Sequence, residues 1–325
     1  MAPYTVLYFE HATPEVYEII RSQLPDGFEL LTLESDDYEE RAEKIPAADF
    51  LLVATAQVTK DLVERGKKLR LIQHQGVGYD RTDVAAARNL GIPIGLTPEG
   101  TCIGVAEHAI LLILAVYKKL VVAHNSLVRG RWRQFDLRPF SYELFGKTLG
   151  LLGFGRIGAE VAKRARSFGA RILVHDIHVS LTPHQQEALG VHQISKHILL
   201  RDSDILSLHI PLTAETQGLV DGAFLRALKP SAILINTSRG GIVDQPALIE
   251  ALKKGIIHGA GLDVFATEPL HPGSPLCQMD NVVLTPHIAA GTRDALISKM
   301  KAAFANMQRV VQGEKPIHLV HEELP

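Results

Sequence analysis

Three polar residues each stand just past the end of an apolar, strand-like run. Arg239 follows Ala232–Asn236 in Asn236-Thr237-Ser238-Arg239-Gly240-Gly241. Glu268 follows Gly259–Val264, and His287 follows Val282–Thr285 in Thr285-Pro286-His287-Ile288-Ala289-Ala290-Gly291. In parallel α/β sheets, ligands meet the residues beyond the carboxyl ends of the strands. An arginine there makes two parallel hydrogen bonds to a carboxylate. A histidine gives or takes a proton near neutral pH, and a glutamate beside it orients the ring and stabilises the imidazolium. Together the three suit hydride transfer at C2 of a 2-keto/2-hydroxy acid, the histidine exchanging the proton on oxygen. Taken singly, an arginine in a glycine-rich loop, a histidine after proline and a glutamate before proline are common structural features. Their combination carries the functional reading only if a hydride carrier binds nearby.

A place for that carrier is written in Gly153-Phe154-Gly155-Arg156-Ile157-Gly158. The motif follows the apolar run Thr148–Leu152 and opens a helix-like stretch ending near Phe168. Asp176 comes eighteen residues after Gly158, just past the apolar run Arg171–His175. Gly153 allows the tight turn, Gly155 lets the backbone approach a pyrophosphate, and Gly158 lets the helix pack on the strand. The helix N-terminus offers unpaired N–H groups to phosphate. A lone G-x-G-x-x-G is weak, but strand, glycine turn, helix, strand and acid in this order point to a dinucleotide. Asp176 accepts both ribose hydroxyls and repels a 2′-phosphate. Ile177 and His178 supply no arginine to hold one, so NAD is expected rather than NADP.

Strand-like and helix-like segments alternate along the whole chain. Thr5–Phe9, Phe28–Leu33, Phe50–Ala54, Leu71–His74 and Ile92–Gly95 read as strands, with a helix over Pro14–Leu24. A second series has strands at Thr148–Leu152, Arg171–His175, Ile205–His209, Ala232–Asn236, Gly259–Val264 and Val282–Thr285. The pattern is α/β with doubly wound parallel sheets. The last helix, Arg293–Gln312, returns apolar residues at Ile297, Met300, Phe304, Met307 and Val311, giving one apolar face. It is expected to pack back on the first series, so that the nucleotide domain is inserted into a split partner. The segment Asn125–Lys147 carries Arg129, Arg131, Arg133, Arg138 and the only tryptophan, Trp132. It is long for a simple connection. It reads either as a solvated loop or as an arm packing on a neighbouring subunit and lending an arginine to its site.

The bulk composition narrows the classes. The chain has 325 residues, formal charge −2, 46% apolar and 22% charged residues, which suits two soluble domains and asks for no nucleic acid or membrane partner. Cys102 and Cys277 are far apart and form no C-x-x-C pair, which fits a reduced, cytoplasmic compartment and no metal site. Met1–Glu10 has no basic region leading into an apolar stretch, so no secretory signal is expected. The most apolar run, Ala109–Tyr117, is too short to span a bilayer and reads as a buried helix.

Several longer stretches resemble the D-isomer-specific 2-hydroxyacid dehydrogenase family over about residues 45 to 315. They are Gly76-Val77-Gly78-Tyr79-Asp80, Val105-Ala106-Glu107-His108, Gly146-Lys147-Thr148-Leu149-Gly150, the glycine motif, His209-Ile210-Pro211-Leu212, Ile235 to Gly240, Leu262 to Pro269, and Thr285-Pro286-His287. The resemblance implies a Rossmann NAD-binding domain, 99–291, inserted into a flavodoxin-like substrate domain formed by 1–98 and 292–325. It implies that Arg239 binds the substrate carboxylate, that His287 is the acid/base with Glu268 as partner, and that backbone N–H groups of Val77 and Gly78 cradle the same carboxylate. NAD would run along Gly153, Gly155, Arg156, Ile157, Gly158, Asp176, Ile210, Pro211, Thr237, Ser238, Asp263, His287, Ala289 and Ala290, with Asp263 on the nicotinamide carboxamide. It further implies a homodimer built on the nucleotide domains, the segment after Tyr117 reaching across.

Departures from the pattern bear on the substrate. Phosphoglycerate dehydrogenases place basic residues after the third strand, where Leu51–Gln57 here has no charge. No regulatory domain is expected after Pro325. A 3-phosphoglycerate-like substrate would need Arg131 or Arg133 to supply the charge. Formate dehydrogenases carry glutamine in place of Glu268, and phosphite dehydrogenases a lysine in place of Val77. An NAD-sensing regulator of the same fold is the rival from another class; turnover of 2-keto acids with NADH separates it from an enzyme.

Overall fold

The computed structural model describes residues 2–320; Met1 and residues 321–325, including the terminal Glu323-Leu324-Pro325, lie outside the described residues. The chain divides into two compact units, Met1–Thr101 with Thr292–Pro325, and Cys102–Gly291.

The first unit opens with β1 (Tyr4–Tyr8), α1 (Pro14–Arg21), β2 (Phe28–Leu31), α2 (Tyr38–Lys44) and β3 (Phe50–Val53). It continues with α3 (Lys60–Arg65), β4 (Leu71–His74), α4 (Val84–Asn89) and β5 (Ile94–Gly95). The strands form a parallel sheet in the order β2-β1-β3-β4-β5, the flavodoxin-like arrangement. Every residue of β3 and β4 is buried, as parallel strands covered on both faces must be. Sheet order reverses between β1 and β3, and there Glu10 closes the crevice. One of its carboxylate oxygens accepts from Ala54 N, Thr55 N and Ala56 N at 2.7, 2.7 and 2.9 Å. Burial nevertheless raises the Glu10 carboxyl above the ordinary carboxylate range, outweighing those three bonds.

The second unit runs α5 (Cys102–Tyr117), α6 (Leu120–Val128), β6 (Thr148–Leu152), α7 (Arg156–Ser167), β7 (Arg171–His175), α8 (Pro183–Leu189) and β8 (His192–Gln193). It continues through α9 (Lys196–Asp202), β9 (Ile205–Leu208), α10 (Gly222–Arg226), β10 (Ile233–Asn236), α11 (Gln245–Lys253), β11 (Gly259–Leu262) and β12 (Val282–Leu284). Its seven parallel strands lie in the order β12-β11-β10-β9-β6-β7-β8. That is the Rossmann order, with one strand added beyond the usual six. The order reverses between β6 and β9, so the glycine turn after β6 and Ile210-Pro211 after β9 flank one crevice. Among the described residues no helix is long and apolar enough to cross a membrane.

After the second unit the chain returns to the first as α12 (Arg293–Val311). Met300, Ala303, Phe304 and Met307 join Val6, Tyr8, Phe50, Leu52 and Leu71 in one core. Each large apolar side chain so buried is worth about 1.5–3 kcal/mol. The expected apolar face of the last helix is therefore what fastens it to β1, β3 and β4.

Four local features differ from the sequence reading. Ile92–Gly95 pairs as a strand only over Ile94–Gly95, and Phe28–Leu33 only to Leu31. The two-residue β8 is polar, with no apolar run to announce it. Residues 125–128 of the long segment are the end of α6, not loop; residues 129–147 are irregular except for a single turn at Arg138–Phe140.

Candidate active site

The glycine turn has the geometry its residues foretell. Gly153 has φ +97°, and a Cβ there would stand 2.4 Å from His209 O, so only glycine lets β6 end against the end of β9. A Cβ on Gly158 would lie 2.6 Å from Gly153 O, which sets α7 hard against the turn. A Cβ on Gly155 would meet nothing, so that backbone is bare to an approaching ligand, beside the exposed Arg156 at the helix start. Ile157 is half-buried behind it.

Asp176 lies at the end of β7. Phe154 N donates to its Oδ2 at 2.6 Å, and His178 N and Val179 N donate to Oδ1 at 2.7 and 3.0 Å. Burial works against its charge, but these three bonds prevail and hold the carboxyl below its ordinary range. The charged form is the one that repels a 2′-phosphate. Along the same sheet edge, Ile210 is half-buried and Pro211 exposed, while Thr237 is buried with no partner for its hydroxyl. A buried, unpaired hydroxyl at a strand end, a bare glycine turn and a charged acid together fit a dinucleotide.

Arg239 leaves the end of β10 on a pinned loop. Asn236 Oδ1 accepts from Ser238 N and Ser238 Oγ at 3.0 and 2.8 Å, and Asn236 Nδ2 donates to Arg239 O at 3.0 Å. Arg239 Nη1 donates to Ser238 O at 2.8 Å. A Cβ on Gly240 would fall 1.9 Å from the Phe265 carbonyl, so the arginine loop lies directly on the loop that leads to Glu268. Glu268 Oε1 accepts from Phe265 N at 3.0 Å, and its Oε2 is 3.0 Å from His287 Nδ1. The pair leaves Nε2 as the histidine's other working atom, the arrangement a proton donor needs.

Among the described residues, His287 is one of three non-glycine residues with positive φ, at +54°. That conformation costs a non-glycine residue about 1–2 kcal/mol, and Asp263 offsets it. His287 N donates to Asp263 O at 2.8 Å. The Asp263 carboxylate, fully buried, accepts from Thr285 Oγ1 and Ile288 N on Oδ1 and from Ala289 N on Oδ2, at 2.6, 2.9 and 2.9 Å. Three donors on a buried carboxylate tie down the turn 285–289. The family resemblance puts Asp263 on the nicotinamide carboxamide; the contacts it makes here are with the histidine's own loop. Ala289 is buried and Ala290 half-buried on that turn.

Val77 and Gly78 belong to the other unit, in the loop after β4; Val77 is exposed and Gly78 half-buried. Sequence reasoning does not single out Asn236, Thr285 or His108, whose ring lies 2.8 Å from the Thr285 hydroxyl. For Asn236 the signal is available: an amide that ends a strand two and three residues before a serine and an arginine can cap both. Among the described residues no cluster of His, Cys, Asp or Glu could hold a metal ion.

Sheet order, glycine turn and acid define a protein that binds a nicotinamide dinucleotide beside the paired Glu268 and His287. Comparison with known proteins agrees. Residues 110–289 match the family described as D-isomer specific 2-hydroxyacid dehydrogenase, NAD binding domain. A glyoxylate reductase of Thermococcus litoralis is 40% identical over 288 residues, covering 87% of this chain and 86% of that one. A D-3-phosphoglycerate dehydrogenase of Archaeoglobus fulgidus is 37% identical over 90% of this chain but only 54% of its own length. The crystal structure of the TT0316 protein from Thermus thermophilus superposes with a TM-score of 0.85 at 34% identity, covering 97% of this chain and 99% of that one. The chain belongs to the D-isomer-specific 2-hydroxyacid dehydrogenase family. It is an NAD-dependent oxidoreductase acting on 2-keto/2-hydroxy acids.

Proposed function

We propose that the chain interconverts a small 2-keto acid and its D-2-hydroxy acid, with Arg239, Glu268 and His287 as the reacting shell. The observation that carries this reading is the 3.0 Å contact between His287 Nδ1 and Glu268 Oε2, on a loop braced against the arginine loop. NAD, when bound, supplies or accepts the hydride at C2. Arg239 grips the substrate carboxylate with its planar fork. His287 gives the carbonyl oxygen its proton from Nε2 during reduction and takes it back during oxidation. Glu268 holds Nδ1–H, so that the ring faces one way and its positive charge is offset. Met1–Thr101 with Thr292–Pro325 acts as the substrate domain, and Cys102–Gly291 as the NAD domain.

The substrate's second group is uncharged in this reading. Ala54, Thr55, Ala56 and Gln57 after β3 bring no cation, and three of their N–H groups are already held by Glu10. Relatives named glyoxylate reductase match over nearly their full length, those named D-3-phosphoglycerate dehydrogenase over about half. A panel of glyoxylate, pyruvate, hydroxypyruvate and 3-phosphohydroxypyruvate with NADH and with NADPH tests this. Turnover is expected with the first three, strongly favouring NADH, and Asp176→Ala should weaken NADH and narrow the gap. Equal efficiency with both cofactors, or preference for the phosphorylated acid, would overturn the corresponding assignment. No turnover with any of the four would favour the NAD-sensing alternative.

We also infer a cytoplasmic homodimer through the segment after Tyr117. Its ends are tied, since Tyr142 N donates to Tyr117 O at 2.9 Å, so the residues between form a closed excursion. That segment and the residues just beyond it expose Val128, Trp132, Phe135, Phe140 and Phe145, with Trp132 and Phe145 76% and 74% exposed. So many exposed apolar side chains are characteristic of an interface. Beside them a cavity of about 470 Å³ is lined by Arg129, Arg131 and Arg133. Sedimentation of the wild type should give a dimer, and Trp132→Ser with Phe135→Ser should shift it to monomer; a monomeric wild type ends the proposal.

A further inference from the structure

The register of one helix against one strand brings an unassigned histidine beneath the turn that carries His287. A Cβ on Gly259 would stand 3.2 Å from Val116 Cγ1, and one on Gly261 2.9 Å from Leu112 Cβ, so α5 lies directly on the glycines of β11. Four residues of helix advance about 6 Å and two of strand about 6.6 Å. Stepping from Val116–Gly259 to Leu112–Gly261, the next pair in register is His108 with Asp263. His108 Nε2 is indeed 3.5 Å from Asp263 Oδ1 and 2.8 Å from Thr285 Oγ1, with its side chain only 10% exposed.

Counting protons assigns the direction of these bonds. An ionised carboxylate only accepts, so Thr285 gives its single hydroxyl proton to Asp263 Oδ1 at 2.6 Å. Thr285 then has no proton left for His108. The 2.8 Å contact is a hydrogen bond only if His108 Nε2 carries the proton and donates it to Thr285 Oγ1. The order is therefore His108 Nε2–H to Thr285 Oγ1–H to Asp263 Oδ1, the carboxylate that also takes Ile288 N and Ala289 N.

We propose that His108 is a positioning residue for the reaction: through Thr285 it keeps Asp263 locked onto the turn that holds His287 at positive φ. His108 bonds to Thr285 rather than to Glu268 or His287, so its effect passes through the loop. The proposal rests on His287 being the acid/base group.

Two replacements separate position from packing. His108→Leu fills the space without a donor; His108→Gln restores a side-chain N–H near the place of Nε2. His108→Leu is expected to lower kcat about tenfold, the worth of one buried hydrogen bond, with the keto-acid KM and the NADH Kd changed by no more than about twofold. His108→Gln should recover most of that loss. Thr285→Val should lose a similar factor, and the double variant His108→Leu with Thr285→Val should be no slower than Thr285→Val alone, because both break one chain. NMR of the wild type labelled with ¹⁵N-histidine should show a protonated Nε2 for His108, assigned by its disappearance in His108→Gln. Additive losses, a loss confined to KM, a glutamine variant as slow as the leucine one, or an unprotonated Nε2 would each overturn the proposal. If the wild type turns over no 2-keto acid, the functional reading fails, while the NMR result still decides the hydrogen-bond chain.

Discussion

Replacing His287 with Asn is expected to slow both directions of the reaction by about 10²–10⁴-fold, the usual contribution of a positioned general acid–base group. Asparagine tolerates the left-handed backbone that His287 occupies at φ +54°, so the turn survives while the proton donor is lost. NADH affinity, measured by fluorescence titration, should change little. The partner is tested by Glu268→Gln, which keeps the size and can still meet Nδ1 but removes the charge 3.0 Å away. Without the carboxylate the charge of the ring is no longer offset as the proton moves, so Glu268→Gln is expected to lower kcat by about tenfold, the worth of one charge-assisted hydrogen bond, with NADH affinity nearly unchanged. An unchanged kcat would remove Glu268 from this role.

Arg239→Lys is expected to raise the keto-acid KM by about 10–100-fold, the cost of a charge-assisted hydrogen-bond pair reduced to a point contact. The NADH Kd should stay nearly constant, because the substitution spares the glycine turn and Asp176. The backbone of the loop is independently held by Asn236 and by the close packing of Gly240 on Phe265, so lysine should not unseat it. Stopped-flow binding of NADH and steady-state KM, measured on the same preparation, decide the matter. Weaker cofactor binding with an unchanged KM would assign Arg239 to the dinucleotide instead.

Much of the fold is legible because parallel strands covered on both faces are written as short apolar runs. Thr148–Leu152, Arg171–His175 and Leu71–His74 are strands over those very residues. Where a strand is two residues long and polar, as at His192–Gln193, periodicity has nothing to register. The helical end of α6 is hidden for a related reason: arginines and an isolated tryptophan come after it, and composition averaged over the segment masks the apolar turn before them. At the site, residue types at strand ends point to Arg239, Glu268 and His287, and the contact between the last two is present. The engagement of Asp263 is not legible. Its donors lie 22 to 26 residues away and reach it because β12 pairs with β11. A sequence names the carboxylate but not which backbone folds back over it. His108 is hidden similarly, although the spacing of His108, Leu112 and Val116 opposite Gly259, Gly261 and Asp263 contains the answer once helix and strand are known to be neighbours.

The return of α12 to the first unit governs the order in which a growing chain can finish its parts. When residues 2–101 have left the ribosome, Val6, Tyr8, Phe50, Leu52 and Leu71 still lack the Met300, Phe304 and Met307 that cover them. The second unit is continuous in the chain and is whole before α12 is made. At about 5–20 residues per second, synthesis of the intervening stretch leaves those side chains uncovered for roughly 10–40 seconds. The part begun first is thus completed last, and its apolar face is the one a nascent-chain chaperone would have to shield.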